Sequence, residues 1–72
     1  MNSEIIITKD FIEIGKLIKK IGLITTGGAI KVFLKNNIVK INNVTPQGRS
    51  TKVYPDDIIW INDDVYVVKR EK

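Results

Sequence analysis

The apolar pattern of this chain passes from a helical to an extended period near residue 37, and that change constrains the fold more than any other feature. Before it, Ile14, Leu17, Ile18 and Ile21, and then Ile30, Phe33 and Leu34, recur at steps of three and four residues, the spacing that collects side chains on one face of a helix. After it, Ile38-Val39-Lys40-Ile41, Ile58-Ile59-Trp60-Ile61 and Val65-Tyr66-Val67-Val68 are short β-branched and aromatic runs separated by turn residues, which read as strands. Residues 4–8 read as one more strand ahead of the helices, because Ile5, Ile6 and Ile7 are β-branched and contiguous. Two short adjoining helices packed on a small, mostly antiparallel sheet follow from that order, an α+β arrangement.

The punctuation between these runs agrees with that order. Lys9-Asp10 turns the chain into the first helix, predicted over 14–21, and Gly22 stands where a left-handed cap ends it, with Leu23-Ile24 packing back. Thr25-Thr26-Gly27-Gly28 is expected to supply a hydroxyl N-cap to the second helix, and Lys31 and Lys35 share its outer side. Asn36-Asn37 should stop it by adopting positive φ. Asn42-Asn43 is a turn pair, 45–51 a polar loop containing Pro46 and Gly48, and Pro55-Asp56-Asp57 and 62–64 are further turns. There is no internal repeat, linker or low-complexity segment.

A chain of 72 residues supports one core, so residues 1–72 are expected to form a single domain. Cysteine and histidine are both absent. Disulfides, thiolate metal sites and the commonest metal ligand and general base are thereby removed, which disfavours an enzyme and points to no cofactor. Asp56-Asp57 and Asp63-Asp64 sit at turns, where aspartate caps its own backbone, so no metal site is expected. No apolar run approaches the length of a membrane span or signal core, and a cytoplasmic location is expected. Twelve basic against eight acidic residues give a net charge of +4, which favours an anionic partner without naming it.

The segment with most chemical content is Thr26-Gly27-Gly28-Ala29-Ile30-Lys31. Two glycines at a helix start let a ligand backbone approach free amides, where the helix dipole favours an anion and a lysine one turn on can reach it. It lacks the spacing of a Walker loop, so nucleotide hydrolysis is not implied. A plain helix junction eased by glycines accounts equally well for this segment taken alone.

The longer pattern is more specific. Thr26-Gly27-Gly28 with Lys31, then Val39-Lys40-Ile41-Asn42, then Arg49 and Lys52-Val53-Tyr54-Pro55-Asp56-Asp57, resembles the S-four RNA-binding domain, or αL motif, and most closely its stand-alone bacterial YaaA-like subgroup. The likeness runs from Ile5 to Val68. It departs at Asn37 and Asp56, where glycine is usual, at Gly48 and Thr51, where arginines are common, at Ser50, where glycine is usual, and at Ile30, where alanine is usual.

The resemblance implies a non-catalytic RNA-binding protein. Its second helix and basic hairpin loop face structured RNA, with ribosomal RNA and ribosome assembly as the implied setting. The residues expected on that face are Lys19, Thr26, Gly27, Gly28, Lys31, Lys35, Asn42, Arg49 and Lys52. Lys19, Lys31 and Lys35 lie off the core stripes, and Arg49 and Lys52 lie in or beside the polar loop, so each cation is free to meet a phosphate. Lys16, Lys20, Lys40, Lys69 and Arg70 read instead as a solvated surface. Aromatic residues are too few for a single-strand stacking platform: Phe33 is expected in the core and Tyr54 buried with its hydroxyl at the edge, while Phe11 and Trp60 stay open. Recognition of RNA shape and backbone by a monomer is the favoured reading. The alternative is a protein-interaction adaptor whose basic face meets an acidic partner, with Phe11, Trp60 or Tyr66 forming an apolar contact patch.

Overall fold

A computed structural model describes residues 2–71. In chain order it contains β1 (Asn2–Ile7), β2 (Ile12–Glu13), α1 (Ile14–Lys20), α2 (Ala29–Asn36), β3 (Val39–Ile41), β4 (Lys52–Val53), β5 (Ile58–Ile61) and β6 (Asp64–Arg70). Four strands form one sheet in the order β1-β6-β5-β3, antiparallel except for the parallel pair of β1 and β6. The α+β architecture expected from the change of period is present. Two features lie outside local pattern: the parallel placement of β1 beside the last strand, and a separate two-stranded ribbon pairing Ile12 with Val53 and Glu13 with Lys52.

Period-2 alternation decides which side of the sheet is core. Ile5 and Ile7 of β1, Val39 and Ile41 of β3, Ile59 and Ile61 of β5 and Val68 of β6 are buried against Ile14, Leu17 and Ile18 of α1, Ile24, Ile30 of α2 and Val53. The alternate residues form the outer face. Ile6, Ile58 and Trp60 are exposed there, beside half-buried Val65 and Val67 and the cross-strand Lys40.

The first helix ends as its sequence indicates. Gly22 adopts φ +85°, its N–H donates to the Lys19 carbonyl at 3.1 Å, and the Leu23 N–H donates to Ile18 at 3.2 Å, the paired bonds of a Schellman cap. The start of α2 differs from expectation. Gly28, in αR conformation at φ −70°, is the N-cap, and no side chain caps it. Turn bonds take over that role, with Ala29 N–H donating to the Thr26 carbonyl and Ile30 N–H to Gly27, so a threonine hydroxyl is not needed.

The stop of α2 also works differently. Asn37 is extended at φ −131° rather than left-handed; its side-chain amide donates to the Phe33 carbonyl at 3.0 Å and so caps the last turn. Its Oδ1 accepts from Asn62 Nδ2, and Asn62 Oδ1 accepts the Ile38 N–H, tying the helix end to the β5–β6 turn. Positive φ occurs instead at Asn42, Asn43, Asp56 and Asn62. Asn42 and Asn43 close a two-residue hairpin between Ile41 and Val44, with positive φ at both central positions as type I′ geometry requires. Tyr54 is 48% exposed, not buried, because it lies just past the end of β4, where its ring meets that of Phe11 at 5.9 Å.

Candidate RNA interface

The polar loop 45–51 is anchored at its far end by two helix amides. An α-helix begins with N–H groups that have no partner within the helix. In α1 the Ile14 N–H donates to the Thr51 carbonyl at 2.8 Å and the Gly15 N–H to the Arg49 carbonyl at 3.0 Å. Thr51 also closes the loop tip on itself, its hydroxyl donating to the Gly48 carbonyl at 2.8 Å while its N–H donates to the same oxygen. Arg49 therefore projects from a short, doubly tied turn.

This docking needs a glycine. A Cβ at residue 15 would lie 3.1 Å from the Arg49 carbonyl oxygen, 3.2 Å from the Arg49 Cβ and 3.3 Å from Ile30 Cγ1. The same absent side chain makes room for Ile30, so the larger residue at that helix–helix contact is compensated by Gly15.

The loop and α2 enclose an open groove of ≈ 690 Å³ whose lining includes Gly27, Gly28, Lys31, Lys35, Gly48 and Arg49. A second groove, of ≈ 330 Å³, shares Gly27 and Arg49 with the first and adds Glu13, Lys16, Lys19 and Ser50. Lys16, Lys19, Lys31, Lys35 and Arg49 thus line one continuous surface, with Glu13 its one carboxylate. The ion pairs among the described residues, Lys69 with Asp56 and Arg70 with Asp10, lie elsewhere. None of the five groove cations carries an ion pair among the described residues, and all five are exposed.

The residues expected on the binding face divide accordingly. Lys19, Gly27, Gly28, Lys31, Lys35 and Arg49 come together. Thr26 is exposed just before them, its carbonyl used by the turn into α2. Lys52 stands apart on the β2–β4 ribbon with Nζ 4.8 Å from the Phe11 ring centroid. Asn42 is committed to the sheet: its Nδ2 donates to Asp57 Oδ1 at 2.9 Å and its Oδ1 accepts the Ile58 N–H at 2.9 Å. Lys16, read as solvated surface, lines the second groove. Its neighbourhood depends on the pairing of α1 with the loop, a contact between distant residues that no local pattern announces.

The Gly27-Gly28 corner is unobstructed. A Cβ at either position would meet nothing within 4 Å, so no packing of the chain itself calls for glycine there. The amides of Ala29 and Ile30 are already spent on the turn, which leaves the backbone at Gly27 and Gly28 as the accessible part of the helix start.

Among the described residues no group of three or more carboxylates could hold a metal ion, and no helix is long and apolar enough to cross a membrane. The S4 domain family model matches residues 5–69, nearly the whole chain. No curated protein matches it.

Proposed function

The chain belongs to the S4 domain family, an RNA-binding family, and on that premise we propose that it binds structured RNA through the two joined grooves. Lys31, Lys35, Lys19 and Lys16 neutralise phosphates, and Arg49 grips two phosphate oxygens or stacks on a base. The open Gly27-Gly28 backbone lets the RNA strand approach. One observation carries this reading: five exposed cations, none in an ion pair among the described residues, line a single surface against one carboxylate, while Asp56, Asp57 and Asp63 lie in the sheet's turns and Asp64 opens β6.

In this reading residues 1–72 act as one non-catalytic domain, and Thr26-Gly27-Gly28 with Lys31 supports a likeness to the YaaA-like subgroup. Ribosomal RNA, met during ribosome assembly, is the partner this reading favours, because phosphate contacts without a stacking platform suit folded RNA read by shape.

The test is the salt dependence of binding to a stem-loop of ribosomal RNA. Five phosphates engaged give a slope of about −3.5 to −4.5 in log affinity against log salt. A slope near zero, or no binding at low salt, refutes the proposal. A second reading, a protein adaptor, draws on the outer sheet face, where Ile6, Ile58 and Trp60 are exposed together and could join a contact with an acidic partner. Failure to bind RNA even at low salt would favour it.

A further inference from the structure

A third groove, of ≈ 350 Å³, is lined by residues that include Lys9, Phe11, Ile12, Glu13, Lys16 and Lys20. Because it shares Glu13 and Lys16 with the groove of Lys19 and Arg49, the basic surface continues past α1 to an aromatic ring. Seven of the twelve basic residues, Lys9, Lys16, Lys19, Lys20, Lys31, Lys35 and Arg49, line this run of grooves. Phe11 is half-buried; the Lys52 ammonium lies 4.8 Å from its ring centroid, and the Tyr54 ring is 5.9 Å away at 49°. Neither Lys52 nor Tyr54 lines the groove, so both support the ring from outside it and leave the groove side open.

We propose that this groove takes one unpaired nucleobase of the bound RNA, stacked on Phe11, with the flanking phosphates at Lys9, Lys16 and Lys20. The inference rests on the RNA-binding reading and deepens it: the ligand is a duplex interrupted or ended by an unpaired nucleotide, not an unbroken helix. The groove is at the small end of ligand sites, which run from about 300 to 1,000 Å³, a size that suits one base. A base offers a π-face whatever its identity, and stacking on an aromatic side chain is how proteins hold bases that are out of the helix. Glu13 repels a phosphate and accepts hydrogen bonds from the N–H edge of a base, which orients the base inward and the backbone toward the lysines.

The experiment compares a blunt RNA duplex with the same duplex carrying one unpaired 2-aminopurine nucleotide, at one salt concentration, with affinity and 2-aminopurine fluorescence as readouts. The unpaired nucleotide is expected to raise affinity about fivefold or more and its fluorescence to be quenched on binding. Phe11→Leu should abolish the gain and the quenching while leaving affinity for the blunt duplex unchanged, Phe11→Tyr should keep both, and circular dichroism should show both variants folded. An abasic nucleotide at the same place should bind like the blunt duplex. Blunt duplex bound with steep salt dependence but no gain from the unpaired base, or a gain that survives Phe11→Leu, overturns the base site alone. Binding of neither RNA overturns it together with the reading on which it rests.

Discussion

Gly15→Ala places one methyl group between the loop and the two helices, and its cost can be worked from three distances. The new Cβ would sit 3.1 Å from the Arg49 carbonyl oxygen, 3.2 Å from the Arg49 Cβ and 3.3 Å from Ile30 Cγ1. Ile30 Cγ1 is in a buried side chain, and the Arg49 carbonyl is held by the Gly15 amide at 3.0 Å while the Ile14 amide holds Thr51, two residues on, at 2.8 Å. Neither can retreat freely. Overpacking of this kind costs about 1–3 kcal/mol, whereas alanine in place of glycine in a helix returns up to about 1 kcal/mol. The crowding outweighs the return, with a net loss of up to about 3 kcal/mol, each 1 kcal/mol of which lowers Tm by about 4–8 °C in a domain of this size. The loop must also move off α1, carrying Arg49 away from Gly27, so RNA affinity should fall by about tenfold, the worth of one charge-assisted contact. Thermal unfolding beside RNA titration at fixed salt checks both. A variant that is more stable than the parent and binds RNA equally well would refute the clamp as the device that positions Arg49.

Gly28→Ala is expected to behave oppositely in the two assays: with φ −70° and open space at the Cβ position, stability holds or rises by up to about 1 kcal/mol while RNA affinity drops, and unchanged affinity would move the RNA off that corner. Lys31→Glu and Arg49→Glu should each weaken RNA binding about tenfold or more, whereas Lys40→Glu, the same charge change on the exposed outer face of β3, should cost far less through the screened field; equal losses would mean that no localised site exists. Asn42→Ala should lower stability by about 2–4 kcal/mol, since it removes bonds to Asp57 and Ile58 and leaves a Cβ residue without a local hydrogen bond at φ 51°. RNA affinity of the folded fraction should be nearly unchanged, and a selective loss of binding without loss of stability would assign Asn42 to the RNA contact.

What could be read from sequence was what is decided locally. The cap at Gly22 needs only a glycine after an apolar stripe, and the strands of the second half follow from β-branched runs between turn residues, although Ile58-Ile59-Trp60-Ile61 is apolar throughout and its spacing does not say that Ile59 and Ile61 face the core. Lys31 and Lys35 followed from the helical period. The features that were not legible depend on partners far along the chain. Thr25 and Thr26 carry hydroxyls suited to a cap, but the turn bonds to Ala29 and Ile30 had already satisfied the amides. Asn37 suits positive φ, yet the Asn62 side chain offers it a better set of bonds when extended. Lys16 looked like one solvated lysine among several until the Gly15–Arg49 contact set the loop beside it. Lys52, near Arg49 in sequence, was carried to the Phe11 side by the pairing of β4 with β2.

Whether RNA lies on the groove band is tested most directly by titrating a structured RNA into isotope-labelled protein and following each backbone amide, with the Trp60 indole as an internal reference on the outer sheet face. The amides of Gly15, Gly27, Gly28, Lys31, Lys35 and Arg49 are expected to shift together and saturate at one RNA concentration, while Ile6, Ile58 and Trp60 stay in place. Shifts confined to Ile6, Ile58 and Trp60, with Gly27, Gly28 and Arg49 silent, would contradict the assignment of these grooves as the RNA-binding surface.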